Sequence, residues 1–384
     1  MRRMTMLVDS DQSVDHGFGS QLEHLVATTA PMVQGGQSGG QPVDWSHLGV
    51  ALVESVRVER LTGALMAASE SGAVLLGEAQ VDLLERHHLD ALAWCMKLED
   101  RLCDVSERLA VSGITDLRVV KGPAVAHLDE LEPGLRTFGD LDLVVRGSDI
   151  DRTVEVLVAM GADRPYPQRR PGFDGRFAKS VTLTFSDHVE IDLHRTICDG
   201  VHAVRVPVER LFDDPVHFDL AGVTMSAPTR VVRVLHAAYH AMLGSPIPRL
   251  MSRRDLLGYL LSSEVEVDGV VSEAEAWNGT AVLHEAAASI LSLPGVSLPR
   301  WKAWFDEVDP SPSERRIIMA QRRDGSSYGR SRLRVVSELP NWGDRWAYAA
   351  GVLFPSREHL SARDMNRSKL LQRGARRQRR DHGG

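Results

Sequence analysis

Two short segments constrain this chain more than any other feature: DLDLVV at 140–145 and VEIDLHR at 189–195. Both alternate polar and apolar residues with a period of two, the pattern of a β-strand with two unlike faces. In the first, Asp140 and Asp142 share one face while Leu141, Leu143 and Val145 take the other. In the second, Glu190, Asp192 and His194 oppose Val189, Ile191 and Leu193. Neighbouring carboxylates repel and suit a core poorly. A divalent cation between them reverses that, because hard cations prefer oxygen ligands. A third carboxylate on an adjacent strand would complete a site for one or two Mg²⁺ (or Mn²⁺) ions, which hold a triphosphate and orient an attacking oxygen. The three acids also crowd like charge, which should raise at least one of their pKa values. Paired acids on a strand face are often merely solvated, so their setting has to decide.

That setting alternates strand and helix. AWCMKLEDRLCDVSERLAV places Trp94, Leu98, Leu102, Val105 and Leu109 on one helical stripe, closed by Gly113. Leu117 to Val120 reads as a strand, and Gly122 opens a turn into a short helix. After DLDLVV, SDIDRTVEVLVAMG predicts a helix with Ser148 as N-cap, Ile150, Val154, Leu157 and Val158 on its inner side, and Gly161 past its end. KSVTLTFSDHVEIDLHRT then predicts a hairpin around Ser186-Asp187. The expected fold is α+β, a small mixed sheet flanked by helical regions. The expected segments are a disordered stretch at 1–44, helices at 45–113, a catalytic core at 114–215, helices at 216–362 and a basic tail at 363–384.

Charge and composition exclude several classes. The chain carries −7, but the tail holds eight Arg/Lys against Asp364 and Asp381, which leaves residues 1–362 at −13. An acidic body argues against a nucleic-acid binder working through a broad basic face. None of the five lysines follows a glycine, so a Gly-Lys-Ser/Thr phosphate loop is absent, and so is GxGxxG. No run reaches the ~18 uncharged apolar residues of a membrane span. Asp9 and Asp11 interrupt the N-terminal apolar stretch, against a signal peptide. Cys95, Cys103 and Cys198 form no CxxC pair, which suits a reducing cytosol; a cytoplasmic location is expected.

The motifs in order are VVKGPAVAHL, PGLRTFGDLDLVV, VEIDLHR, VLHAAYHAM, SRRDLLGYL and GVLFPSREHL. This order resembles the nucleotidyltransferase superfamily with the DNA polymerase beta fold, and within it the bacterial "uncharacterised nucleotidyltransferase" family. The likeness runs from about Leu89 to Leu360. The resemblance implies a polymerase beta-like core in which Asp140, Asp142 and Asp192 bind the metal and Asp192 also activates an acceptor hydroxyl. It implies a nucleoside triphosphate as donor, and the acidic body favours a small-molecule, peptide or protein acceptor over long RNA or DNA. The chain departs from the superfamily at the first turn, where Lys121-Gly122-Pro123 replaces Gly-Gly or Gly-Ser, and 17 residues separate Gly122 from Asp140. Pro123 has neither an N–H nor a hydroxyl to offer a phosphate. Lys121, Gly122 and Arg136 are the residues expected to bind the nucleotide, with Arg136 offering a bidentate fork. A nucleotide-sugar donor, or a degenerate non-catalytic binder, would keep the same fold.

Other candidates carry plainer readings. His236 and His240 stand at i,i+4, a zinc spacing, but no HExxH accompanies them and packing is the expectation. Arg233, on the same helical face, could line the cleft. Asp255 reads as an ion-pair or helix-start residue. His194, Cys198 and His202 are four apart but begin on a strand, which argues against a metal trio.

Overall fold

The computed structural model describes residues 18–33, 41–245, 249–322 and 334–363. The basic tail lies outside them except for Arg363, as do residues 1–17 and 34–40 of the stretch expected to be disordered.

Among the described residues, eight strands form three sheets. A two-residue parallel pair, β1 (Val43–Asp44) and β2 (Val74–Leu75), lies within the N-terminal helical region. The main sheet contains β3 (Leu117–Val120), β4 (Leu141–Val145), β5 (Ser180–Thr184) and β6 (Glu190–His194), in the order β3-β4-β6-β5. Its central strands β4 and β6 are parallel, and each edge strand is antiparallel to its neighbour. All five residues of β4 are buried, because both faces of this central strand are covered.

One face of the sheet sends Leu141, Leu143, Leu183, Ile191 and Leu193 into an apolar core. That core is closed by the long helix Glu78–Val111, through Leu98, Leu102, Val105 and Leu109, and by helix Ile150–Ala159. The opposite face carries Val120 and Val144 into a second core built from the surrounding helices, including Arg230–Leu243 and Leu250–Leu261. The polar residues of that second face therefore lie where sheet and helices meet. Among the described residues, no helix is long and apolar enough to cross a membrane.

Four expectations need correction. Residues 19–33, expected to be disordered, form a helix whose Leu22, Leu25, Val26 and Thr29 are buried. It packs on Leu250–Leu261, with Glu23 bonded to Arg253 at 2.6 Å. A 3.6-residue period was present there, masked by the Gly- and Gln-rich flanks. Replacing Leu25, fully buried, by Ala should cost about 2–5 kcal/mol in a denaturant melt; a change within error would show the helix to be detached in solution. The segment expected to be helical from 216 opens instead with the hairpin β7 (Val216–Leu220) and β8 (Val223–Ala227). Its Phe218, Leu220, Met225 and Ala227 complete the first core. Ser148 is not an N-cap: a 3₁₀ turn covers Gly147–Asp149 and the helix begins at Ile150. Val158 is exposed rather than facing inward, since the buried stripe of that helix is Ile150, Thr153, Val154 and Leu157.

Candidate metal centre

Parallel pairing sets Asp142 directly beside Asp192, and Val144 beside His194. Asp142, Asp192 and His194 each present one ligand atom, and the three atoms lie within 4.8 Å of one another. Asp142 is 3% exposed. Its Oδ1 accepts from Lys121 Nζ at 2.5 Å and lies 2.8 Å from His194 Nε2. Burial alone would push the Asp142 carboxyl up; the Lys121 ammonium and the His194 hydrogen bond outweigh it and hold the group well below the usual carboxylate range. Asp192 Oδ1 accepts from Thr182 Oγ1 at 2.5 Å, across the β5–β6 register.

Asp140 stands just before β4 and outside this trio; its Oδ1 is 3.4 Å from Arg60 Nη1. Glu190 opens β6, and its carboxyl is pushed up by burial first, then by the charges of Asp192, Asp140 and Asp142. The crowding expected to raise a pKa within Asp140, Asp142 and Asp192 does not raise that of Asp142. It raises that of Glu190, because Lys121 and His194 already compensate Asp142.

The turn before the site is conformationally unusual. Lys121 has φ 53° and ψ −128°, a strained combination for a residue with a side chain. Gly122 is buried, and a Cβ there would come within 2.9 Å of Phe138 Cβ. Close packing is what demands glycine at this position. Pro123 sits in the first turn of helix Gly122–Leu128, where its missing N–H costs nothing.

Arg136 is placed differently from the nucleotide-binding expectation. Its Nε and Nη2 donate to Asp255 Oδ1 and Oδ2 at 2.8 and 2.9 Å, and both side chains are 9% exposed. The fork that could have gripped a phosphate is therefore closed on a carboxylate. Two more pairs accompany it: Arg233 with Asp129 at 2.8 and 2.9 Å, and Arg254 with Glu130. Together they tie the segment 129–136 to the helices Arg230–Leu243 and Leu250–Leu261. Asp255 is thus the ion-pair residue it was read to be, and SRRDLL is part of this attachment.

His236 and His240 face Lys121 across a cavity of about 20 Å³, room for one water. Burial, then the Lys121 charge, pushes both well below the ordinary imidazole value. Neither Cys198 nor His202 joins a metal group among the described residues. Burial raises the Cys198 thiol and lowers His202 to about 4.

Reading the sequence missed His194 as a partner of the acids, although strand alternation had put it on their face. It also missed Thr182 and Arg60. Thr182 was legible as the residue facing Asp192 once the hairpin was placed. No signal marked Arg60, 80 residues upstream of Asp140.

A model of the uncharacterised nucleotidyltransferase family matches residues 41–290, which takes in both acid-bearing strands, the Lys121-Gly122 turn and the three ion pairs. The chain belongs to that family. The match begins well before Leu89, where the likeness was expected to start, and so includes Arg60; it ends before GVLFPSREHL. A comparison with curated proteins found no match.

Proposed function

We propose that this nucleotidyltransferase-family chain transfers a nucleoside monophosphate from a nucleoside triphosphate to a hydroxyl or phosphate of a small-molecule, peptide or protein acceptor, and depends on Mg²⁺ or Mn²⁺. One observation carries this reading: Asp142 and Asp192 are register partners on parallel strands, with the ligand atoms of both acids and His194 within 4.8 Å. Two carboxylates and an imidazole suit a divalent ion, the oxygens favouring Mg²⁺ and the nitrogen tolerated by Mn²⁺. Asp142 and Asp192 would hold the ion, with Asp140 and Glu190 adding negative charge beside it. Bound there, the ion would neutralise charge developing on the transferred phosphoryl group.

The remaining work falls to the protein's own side chains. Asp192 would accept the proton of the acceptor hydroxyl, with Thr182 fixing the orientation of its carboxylate. Lys121 balances Asp142; released from that pair, its ammonium would be available to a phosphate beside the acids. Helix Arg230–Leu243, which carries His236 and His240, covers this face. In such transfers positioning and charge compensation supply most of the rate.

A nucleoside triphosphate should raise the melting temperature in the presence of Mg²⁺ and do so far less with EDTA. At a hundred times Kd the stabilisation is about 2.7 kcal/mol. Equal shifts in the two conditions would contradict a metal-bridged site. Product mass distinguishes nucleotidyl transfer from transfer of a sugar.

A further inference from the structure

A groove of about 240 Å³ opens beside the acids, on the β5 edge of the sheet. Two distant parts of the chain form most of it: residues 164–182, from the loop at Arg164 through helix Phe173–Phe177 to the start of β5, and the helices Trp342–Leu353 and Arg357–Ala362 with Arg363. GVLFPSREHL, which the metal site does not use, is what closes it. Ser356 N donates to Arg169 O at 2.7 Å, and His359 Nδ1 lies 2.6 Å from Pro167 O. That wall lies beyond residue 290, outside the part of the chain that matches the family.

The lining combines charge with ring faces. Among the described residues, the lining carries the cations Arg164, Arg169, Lys179 and Arg363 and the carboxylates Asp174 and Asp199. Arg164 is paired with Asp174, and Arg169 has a partner of its own. Lys179 is half-buried, forms no ion pair with a carboxylate among the described residues, and places its charge near His236 and His240. A half-buried cation without a counter-ion favours an anionic ligand. Arg363 stacks on Tyr166 at 4.5 Å, and Tyr348 packs on Phe173 and Phe177, giving rigid walls. At the floor, Thr182 both lines the groove and donates to Asp192. The inner end of the groove is thus one hydroxyl away from the proposed base. Its volume is below the roughly 300–1,000 Å³ of pockets for drug-sized ligands.

We propose that this groove is the acceptor subsite and takes a small hydroxylated anion, a phosphate- or carboxylate-bearing alcohol, with its charge at Lys179 and its hydroxyl directed past Thr182 to Asp192. The inference rests on the nucleotidyltransferase reading for its chemistry. The acceptor oxygen bonds to the α-phosphorus of the nucleoside triphosphate, the bond from that phosphorus to the β-bridging oxygen breaks, and pyrophosphate leaves with the electron pair. The acceptor proton passes to Asp192 and then to water.

Binding can be tested without turnover. Calorimetric titration of the full chain with glycerol 3-phosphate, glycerate and glycerol, and separately with Mg²⁺-ATP, should show binding of either or both anions but not of glycerol. Lys179→Gln should weaken anion binding about tenfold or more, the effect of one lost charge-assisted contact, and leave Mg²⁺-ATP affinity within about twofold. Val352→Phe, which narrows the groove from its other wall, should also weaken the anions and spare ATP. If neither anion binds, or if both variants bind the anions like wild type, the subsite assignment is wrong. If Lys179→Gln instead weakens Mg²⁺-ATP, the groove holds the donor and the assignment is equally wrong. Loss of Mg²⁺-ATP binding in the wild type would remove the nucleotidyltransferase reading, an outcome separable from the anion titrations.

Discussion

Asp192→Asn is expected to abolish transfer, by about a thousandfold or more, while the protein melts within about 0.5 kcal/mol of wild type. Losing roughly 4 kcal/mol of transition-state stabilisation corresponds to such a rate, and Asn removes both the base and a good metal ligand. The fold should tolerate the change because Asp192 is only half-buried and an Asn oxygen still accepts from Thr182. Asp142→Asn should be equally inactive but also less stable, by about 1–3 kcal/mol, since the half-buried Lys121 ammonium and the buried His194 lose an anionic partner. Like-charge repulsion alone would have made both variants neutral or slightly stabilised; the Lys121 pair reverses that for Asp142. Calorimetry and turnover on the same samples check both points. Activity in either variant, or unfolding of Asp192→Asn, would make the acids structural. The Asp142 pair also sets a pH dependence. Its carboxyl is held low in the fold, so its stabilisation is complete above the unfolded value of about 3.9 and is lost as pH falls below that toward the folded value.

Arg136→Ala should cost about 3–5 kcal/mol of stability, because it leaves Asp255 charged and buried without its partner. Arg136→Lys should recover only part of this, a point charge being a poor substitute for a two-pronged fork. The paired change Arg136→Met with Asp255→Leu removes both charges and should restore most of the stability. A residue that served to grip the triphosphate would behave in the opposite way: Arg136→Ala would keep its melting temperature and lose nucleotide affinity. Melting curves with and without Mg²⁺-ATP separate the two. The result matters for the site because the pair joins the segment leading into β4 to helix Leu250–Leu261, which packs beside helix Arg230–Leu243.

Local pattern was enough to place the four strands of the main sheet and the face on which Asp142 and Asp192 stand. Leu98, Leu102, Val105 and Leu109 repeat with a helical period and are buried; Asp142 and Asp192 alternate with apolar neighbours and share the polar side of the sheet. These features are periodic, and periodicity is written in nearest and next-nearest neighbours. The short helix Gly19–Val33 and the hairpin at β7–β8 had the same kind of signal, obscured by polar flanks or by a reading that moved to helices too early.

What local pattern does not contain is which distant charge meets which. Lys121, Arg136 and Arg60 were all cations near the acids in the chain or in space. Only the tertiary structure gives Lys121 to Asp142, Arg136 to Asp255 and Arg60 to Asp140. The same holds for Gly122, required by the approach of Phe138, and for the groove closed by GVLFPSREHL on a loop nearly two hundred residues away. The alternation that makes two strands acidic on one side can be read from the residues alone, because a strand's own geometry enforces it. The parallel register that makes Asp142 and Asp192 neighbours, and the choice of partner for every buried charge, are set by packing between elements, since a buried ion must find whatever counter-ion the fold brings within reach.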